Sequence, residues 1–133
     1  MKLSATELWD AWHNSPDIRE MAEAWLTKKA GDWTQEDERL YGILHRDPDR
    51  TLAVIFAAMQ LTDDASILGG LAAGPLEDFL GVHGEPYLPV IHTLALQHQR
   101  LREVLAGVWQ GSMPKQVWHE IEILKQKAFT RKP

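Results

Sequence analysis

Helix punctuation recurs along this chain at short intervals, and it leaves little room for any other secondary structure. Ser15-Pro16 and Asp47-Pro48 each set a capping side chain directly before a proline. That pairing suits a helix start, because the Ser or Asp oxygen accepts a first-turn N–H. Proline at the first helical position lacks only a donor that would be orphaned there anyway. Ser4 and Glu7 have the spacing of a capping box. Thr34 precedes Glu36, Asp37 and Glu38, three acids placed where the helix dipole favours them, and Thr62 precedes Asp63 and Asp64 in the same way. Between these starts the apolar residues fall at helical spacing, as in Ile18-Met21-Ala22-Trp25 and Leu52-Ile55-Phe56-Met59. No stretch alternates at period two for long enough to form a strand. The sequence therefore predicts an all-α fold, either a compact multi-helix bundle or a short HEAT-like stack of about seven to eight short helices. Helix starts are expected within about two residues of Pro16, Thr34, Pro48, Thr62, Pro75 and Ser112. Phe56, Leu76, Phe79, Leu105 and Trp109 are expected to meet in one core.

At 133 residues the chain reads as a single helical domain, 1–133. It has no cysteine, which excludes disulfides, Cys-ligated zinc and thiol nucleophiles. The N-terminus lacks the uninterrupted apolar stretch of a signal peptide, and no run is long enough to span a membrane. A cytoplasmic protein is the expectation. The net charge of −5 is unevenly spread. The basic C-terminal end, residues 125–133, holds four of the 14 basic residues, so the rest of the chain carries ten against 19 acidic ones. Such a surface repels a phosphate backbone and argues against nucleic-acid binding. It suits a basic protein partner, through steering and complementarity.

The stretch Gly69 to Glu85 holds five of the nine glycines. Gly69 and Gly74 have the spacing of a phosphate-binding loop, but Pro75 and Leu76 stand where the lysine and the hydroxyl should be. Glu77 and Asp78 would also repel an anion. A junction between helices accounts for every residue: Pro75 opens a helix, Leu76, Phe79 and Leu80 point inward, and Gly84 closes it. Pro86 and Pro89 then have to lie in or before the first turn of the next helix. The segment Ala73-Gly74-Pro75-Leu76-Glu77, with Gly107-Val108-Trp109 some thirty residues later, resembles an uncharacterised family of small bacterial helical proteins. The resemblance covers residues 40–120. It implies a helical fold and carries no function, being to a domain of unknown function.

No constellation specifies a reaction. His92 and His98 do not share a helical face, and His119-Glu120 lacks the second histidine of a zinc-protease helix. No serine stands in a nucleophile elbow. The pairs Asp47/Asp49 and Asp63/Asp64 lie at helix starts, where capping explains them. No catalytic residue, metal ligand or cofactor is assigned. Tryptophan is the anomaly, with six in the chain. Trp25, Trp109 and Trp118 lie on apolar stripes and are expected in the core. Trp33 either staples a helix start or stands exposed beside Asp32, Glu36, Asp37 and Glu38. An aromatic among acids is a credible anchor for a basic surface. The expected partner-binding residues are therefore Asp32, Trp33, Glu36, Asp37 and Glu38, with Asp63, Asp64 and Glu77 beyond them. Two functions remain open. One is an acidic binding protein of immunity or antitoxin type that neutralises a bacterial toxin or effector. The other is an enzyme or small-ligand domain whose His/carboxylate site assembles from several helices.

Overall fold

The computed structural model of the chain describes residues 3–27 and 34–130. Its α-helices are α1 (Ala5–Asn14), α2 (Pro16–Leu26), α3 (Gln35–Ile43), α4 (Pro48–Leu61), α5 (Ala65–Leu71), α6 (Glu77–Gln97), α7 (Gln99–Leu105) and α8 (Lys115–Thr130). One π-helical turn, Ala72–Leu76, joins α5 to α6. There is no strand among the described residues, so the protein is all-α as its sequence predicts.

Where a start depends on local chemistry, the capping residues act as expected. Ser4 and Glu7 form a capping box, as do Thr34 and Asp37. Ser15 accepts the Ile18 N–H, and Asp47 accepts that of Arg50 at 3.2 Å, each with proline following. Three starts differ. Helix α5 begins at Ala65, because Asp64 supplies the cap by accepting the Ser66 and Ile67 N–H groups. Thr62 instead accepts the N–H of Asp64. Helix α8 begins at Lys115, where the Pro114 carbonyl accepts the Trp118 N–H, and Ser112 lies against Gly81.

The third difference is at Pro75, which opens no helix. The chain stays helical from Ala65 to Gln97, through Pro75 and Gly84. A proline inside an α-helix clashes with the carbonyl four residues back and leaves it unpaired. Here the ladder widens instead: the Glu77 N–H bonds Ala72 O, five residues back. Pro86 and Pro89 also lie inside α6. Both are exposed, and so are Val82 and Glu85, whose carbonyls lose their intrahelical partner. Water on that side replaces the lost bonds, so the helix continues.

Packing is organised by α4. Every residue from Thr51 to Met59 is buried, which a helix at the surface cannot achieve. Helices α1, α2 and α3 pack against it, as do α6 and α7, and α8 closes over α6 and α7. Phe56, Leu76, Phe79 and Leu105 are fully buried in one core, as expected. Two arginines finish helix ends. Arg100 donates to Met59 O and Thr62 O after α4, and Arg102 donates to Ala95 O at 2.5 Å near the end of α6. Both supply donors and positive charge where a helix leaves carbonyls unpaired.

Helix α6 approaches α8 closely at Gly84, where a β-carbon would lie 2.7 Å from Val117 Cγ1. Gly84→Ala should therefore destabilise. Overpacking costs about 1–3 kcal/mol, against a gain in helix propensity of about 1 kcal/mol. Gly70→Ala meets nothing within 4 Å and should stabilise by roughly 0.5–1 kcal/mol. Urea denaturation of the two variants tests this contrast in sign. In the same assay Phe79→Ala should lose about 3–5 kcal/mol, because its ring is fully enclosed.

Candidate functional site

The acidic segment proposed as a contact surface does not stay together. Asp32 and Trp33 lie outside the described residues. Asp37 is a correction: it is 6% exposed and cannot be an interface residue. Its Oδ1 accepts the indole N–H of buried Trp25 at 3.1 Å, and its Oδ2 accepts the backbone N–H of Thr34 at 3.0 Å. Burying a carboxylate costs several kcal/mol unless donors surround it, and here a helix start and an indole supply them. Glu36 is half-buried and Glu38 is exposed on a different face of α3. Asp63 is exposed and pairs with Arg100 at 2.5 Å, while Asp64 is occupied as the α5 cap.

The aromatic surface lies elsewhere. Trp109 was expected in the core and is 71% exposed, the largest exposure among the large apolar side chains described. Helix α7 ends at Leu105, so the i+4 spacing that places Leu105 inside no longer applies four residues later. In the turn that follows, Val108 fills the core and the next side chain points outward.

That turn is held from several sides. The Trp109 N–H donates to Glu77 Oε1 at 3.0 Å. Gly111 adopts φ 51°, and a β-carbon there would lie 3.0 Å from the other Glu77 oxygen. Lys125 of α8 donates to Val108 O at 2.6 Å and sets its ammonium 5.1 Å from the Trp109 ring and 4.8 Å from the Trp118 ring. Gln110 O accepts the N–H of buried Met113 at 2.8 Å. Glu77, expected as a contact residue, is thus the group that pins an exposed tryptophan. No capping or periodicity signal marks Trp109, although the pair Gly107 and Gly111 signals that α7 has ended.

The histidines are spread over the molecule, apart from His45 and His83, whose rings meet edge to face with centroids 6.3 Å apart. His83 shares a 2.7 Å hydrogen bond with Leu44 O, and His98 stacks on Trp9 with centroids 4.2 Å apart. Among the described residues no group of three or more His, Asp or Glu side chains is arranged to hold a metal ion. Two phenols instead tie α6 to the N-terminal half. Tyr41 donates to Asp78 at 2.5 Å, and Tyr87 donates to Asp49, which also accepts the Leu3 N–H. Burial, then the hydrogen bond to a neighbouring carboxylate, raises both phenols well above their ordinary value of 10.0. They stay neutral donors, which suits staples rather than bases.

A cleft of about 470 Å3 lies between α2, α3 and α4, lined in part by Arg39, Arg46 and Arg50. The acidic stretch therefore contributes basic groups to the surface as well.

Fold and surface together define a small all-α domain with a fixed, exposed aromatic on one side and an arginine-lined cleft on another. The chain belongs to a family of unknown function, DUF6869, whose match covers residues 13–129. That span extends well beyond the 40–120 expected from the sequence segments and takes in most of the N-terminal helices. No curated protein and no solved structure matches the chain. No helix among the described residues is long and apolar enough to cross a membrane.

Two measurements test these assignments. Asp37→Ala removes a cap and the acceptor of a buried indole, and should cost about 2–3 kcal/mol in chemical denaturation. A loss below half of that would mean the carboxylate is not the tie between α2 and α3. For the phenols the sign follows from their raised values. Folded Tyr41 and Tyr87 stay neutral where unfolded ones ionise, so their stabilisation is complete below pH 10 and is lost as pH rises beyond it. The double variant Tyr41→Phe/Tyr87→Phe should flatten that alkaline decline in a pH series of unfolding midpoints.

Proposed function

We propose that this protein acts by binding a basic protein through the surface around Trp109. The observation that carries the reading is a tryptophan 71% exposed on a backbone tied to Glu77 and Lys125. An exposed aromatic on a fixed support loses little conformational freedom on binding, and burial of its ring supplies the desolvated centre that dominates an interface. The partner's charge follows from the chain's own. Net charge is −5, and Glu77 holds the Trp109 turn. A basic partner approaches such a surface faster, in a salt-dependent way. The most concrete form of this reading is an immunity- or antitoxin-like protein that neutralises a toxin by covering it.

Trp109→Ala separates binding from folding. Its ring contributes a cation–π contact of about 0.5–1 kcal/mol to the fold, against roughly 2–4 kcal/mol expected of an interface anchor. Wild type and variant are immobilised side by side and exposed to extract of the native host. A basic protein should be retained by the wild type and lost from the folded variant, with association slowing as salt rises. Retention of the same protein by both would place the interface elsewhere. Co-expression supplies the second arm: the wild type should relieve toxicity of the captured protein where Trp109→Ala does not. A captured protein that is not toxic removes the neutralising role while leaving the binding one.

A further inference from the structure

The chain is acidic as a whole, yet three of its arginines gather at one cleft. Gly42, Ile43 and Arg46 follow Arg39 by three, four and seven residues along α3 and the turn after it, and Arg50 comes from the first turn of α4. All five line the same cleft of about 470 Å3, with Met21 of α2 on the opposite wall. That volume lies within the range of small-molecule sites.

The cleft holds more hydrogen-bond donors than its own acceptors can use. Each guanidinium offers five N–H groups in a planar fork. Arg39 gives one to Glu20 at 3.4 Å, and Arg50 uses its Nη2 toward Asp17 and Met21 Sδ, both acids being exposed. These pairs orient the two forks and leave most donors uncommitted. Arg50 Nε is buried with no hydrogen-bond partner. Arg46 makes no ion pair or hydrogen bond through its side chain among the described residues. Two acids share the lining, Glu38 and Asp47. Asp47 is turned to the start of α4, where its Oδ1 accepts the Arg50 N–H. Counting Asp17 and Glu20, the acids here are at least as numerous as the arginines, so what the cleft offers in excess is N–H donors rather than net positive charge.

From this we infer that the cleft binds the phosphate group of a small ligand. One carboxylate occupies one arginine fork, whereas a phosphate presents three acceptor oxygens and up to two charges to several forks at once. The site is separate from the Trp109 surface and does not depend on it.

The test uses inorganic phosphate, phenyl phosphate and sulfate against the full chain, at constant ionic strength, read by titration calorimetry and by the thermal midpoint. Phosphate and sulfate stabilise proteins generally by exclusion from their surfaces, so the signal is saturable binding and its loss in variants. Arg46→Gln removes the unpaired fork and should weaken phosphate binding roughly ten- to hundredfold. Gly42→Leu leaves every arginine in place and sends a bulky side chain into the cleft from a position where a β-carbon meets nothing within 4 Å, and should abolish saturation. Trp109→Ala should bind as the wild type does. Tighter binding of phenyl phosphate than of the free ion identifies an organic phosphate ester, and equal binding identifies the ion itself. No saturable binding by the wild type, or equal binding by the wild type, Arg46→Gln and Gly42→Leu, overturns the inference.

Discussion

A helix buried on all sides must be given neighbours on all sides, and α4 imposes that demand on the rest of the chain. From Thr51 to Met59 it has no exposed face. Ala53, Ala57 and Ala58 let surrounding backbones approach, while Leu52, Ile55, Phe56 and Met59 fill the space between them. Its one buried polar side chain, Thr51, returns its hydroxyl to Asp47 O at 3.0 Å and so costs little. Gln60, at the edge of this segment, holds α1 in place: its amide donates to Trp9 O and accepts from the Trp12 indole. Arg100 then covers the carbonyls at the far end. No single neighbour can leave without exposing apolar surface at about 25 cal/mol per Å2.

What the sequence makes legible is local chemistry. Ser4, Ser15, Thr34 and Asp47 cap helices because the oxygen and the N–H it serves are within a few residues of each other. Features settled by tertiary surroundings are less legible. Proline reads as a breaker, yet the cost of Pro86 and Pro89 depends on whether the freed carbonyls face water, which only packing decides. The apolar stripe on α4 was visible, but its complete burial was signalled differently, by the absence of any charged residue between Arg50 and Asp63. Trp109 was misplaced by extending a helical period beyond the end of its helix.

The contact surface suffered from a related error, since charge density along a chain is not charge density on a surface. Residues 32–49 are rich in acids, but the side chains described from residue 34 onward point in several directions. Asp37 turns inward to Trp25, Asp47 turns back to the start of α4, and Asp49 receives Tyr87. The arginines in and beside the same stretch gather on one wall of a cleft. Among the described residues Glu77 is the expected contact that stands next to exposed Trp109, and it does so through the backbone of that residue.

Glu77 reaches that position because of the π-helical turn before it. Burial on this part of the chain comes in pairs four residues apart: Leu71 and Ala72, Pro75 and Leu76, Phe79 and Leu80. In a straight α-helix each residue turns about 100°, so a four-residue repeat overshoots by about 40° each time and would carry the third pair off the core. The wider turn at Ala72–Leu76 absorbs that drift and keeps all three pairs facing inward. Glu77, following the second pair, is then held on the flank beside the α7–α8 connection, within reach of the Trp109 N–H. Pro75 thus acts at a distance from its own contacts. By excluding the regular ladder it sets the phase of α6, the phase sets Glu77, and Glu77 holds the tryptophan outward.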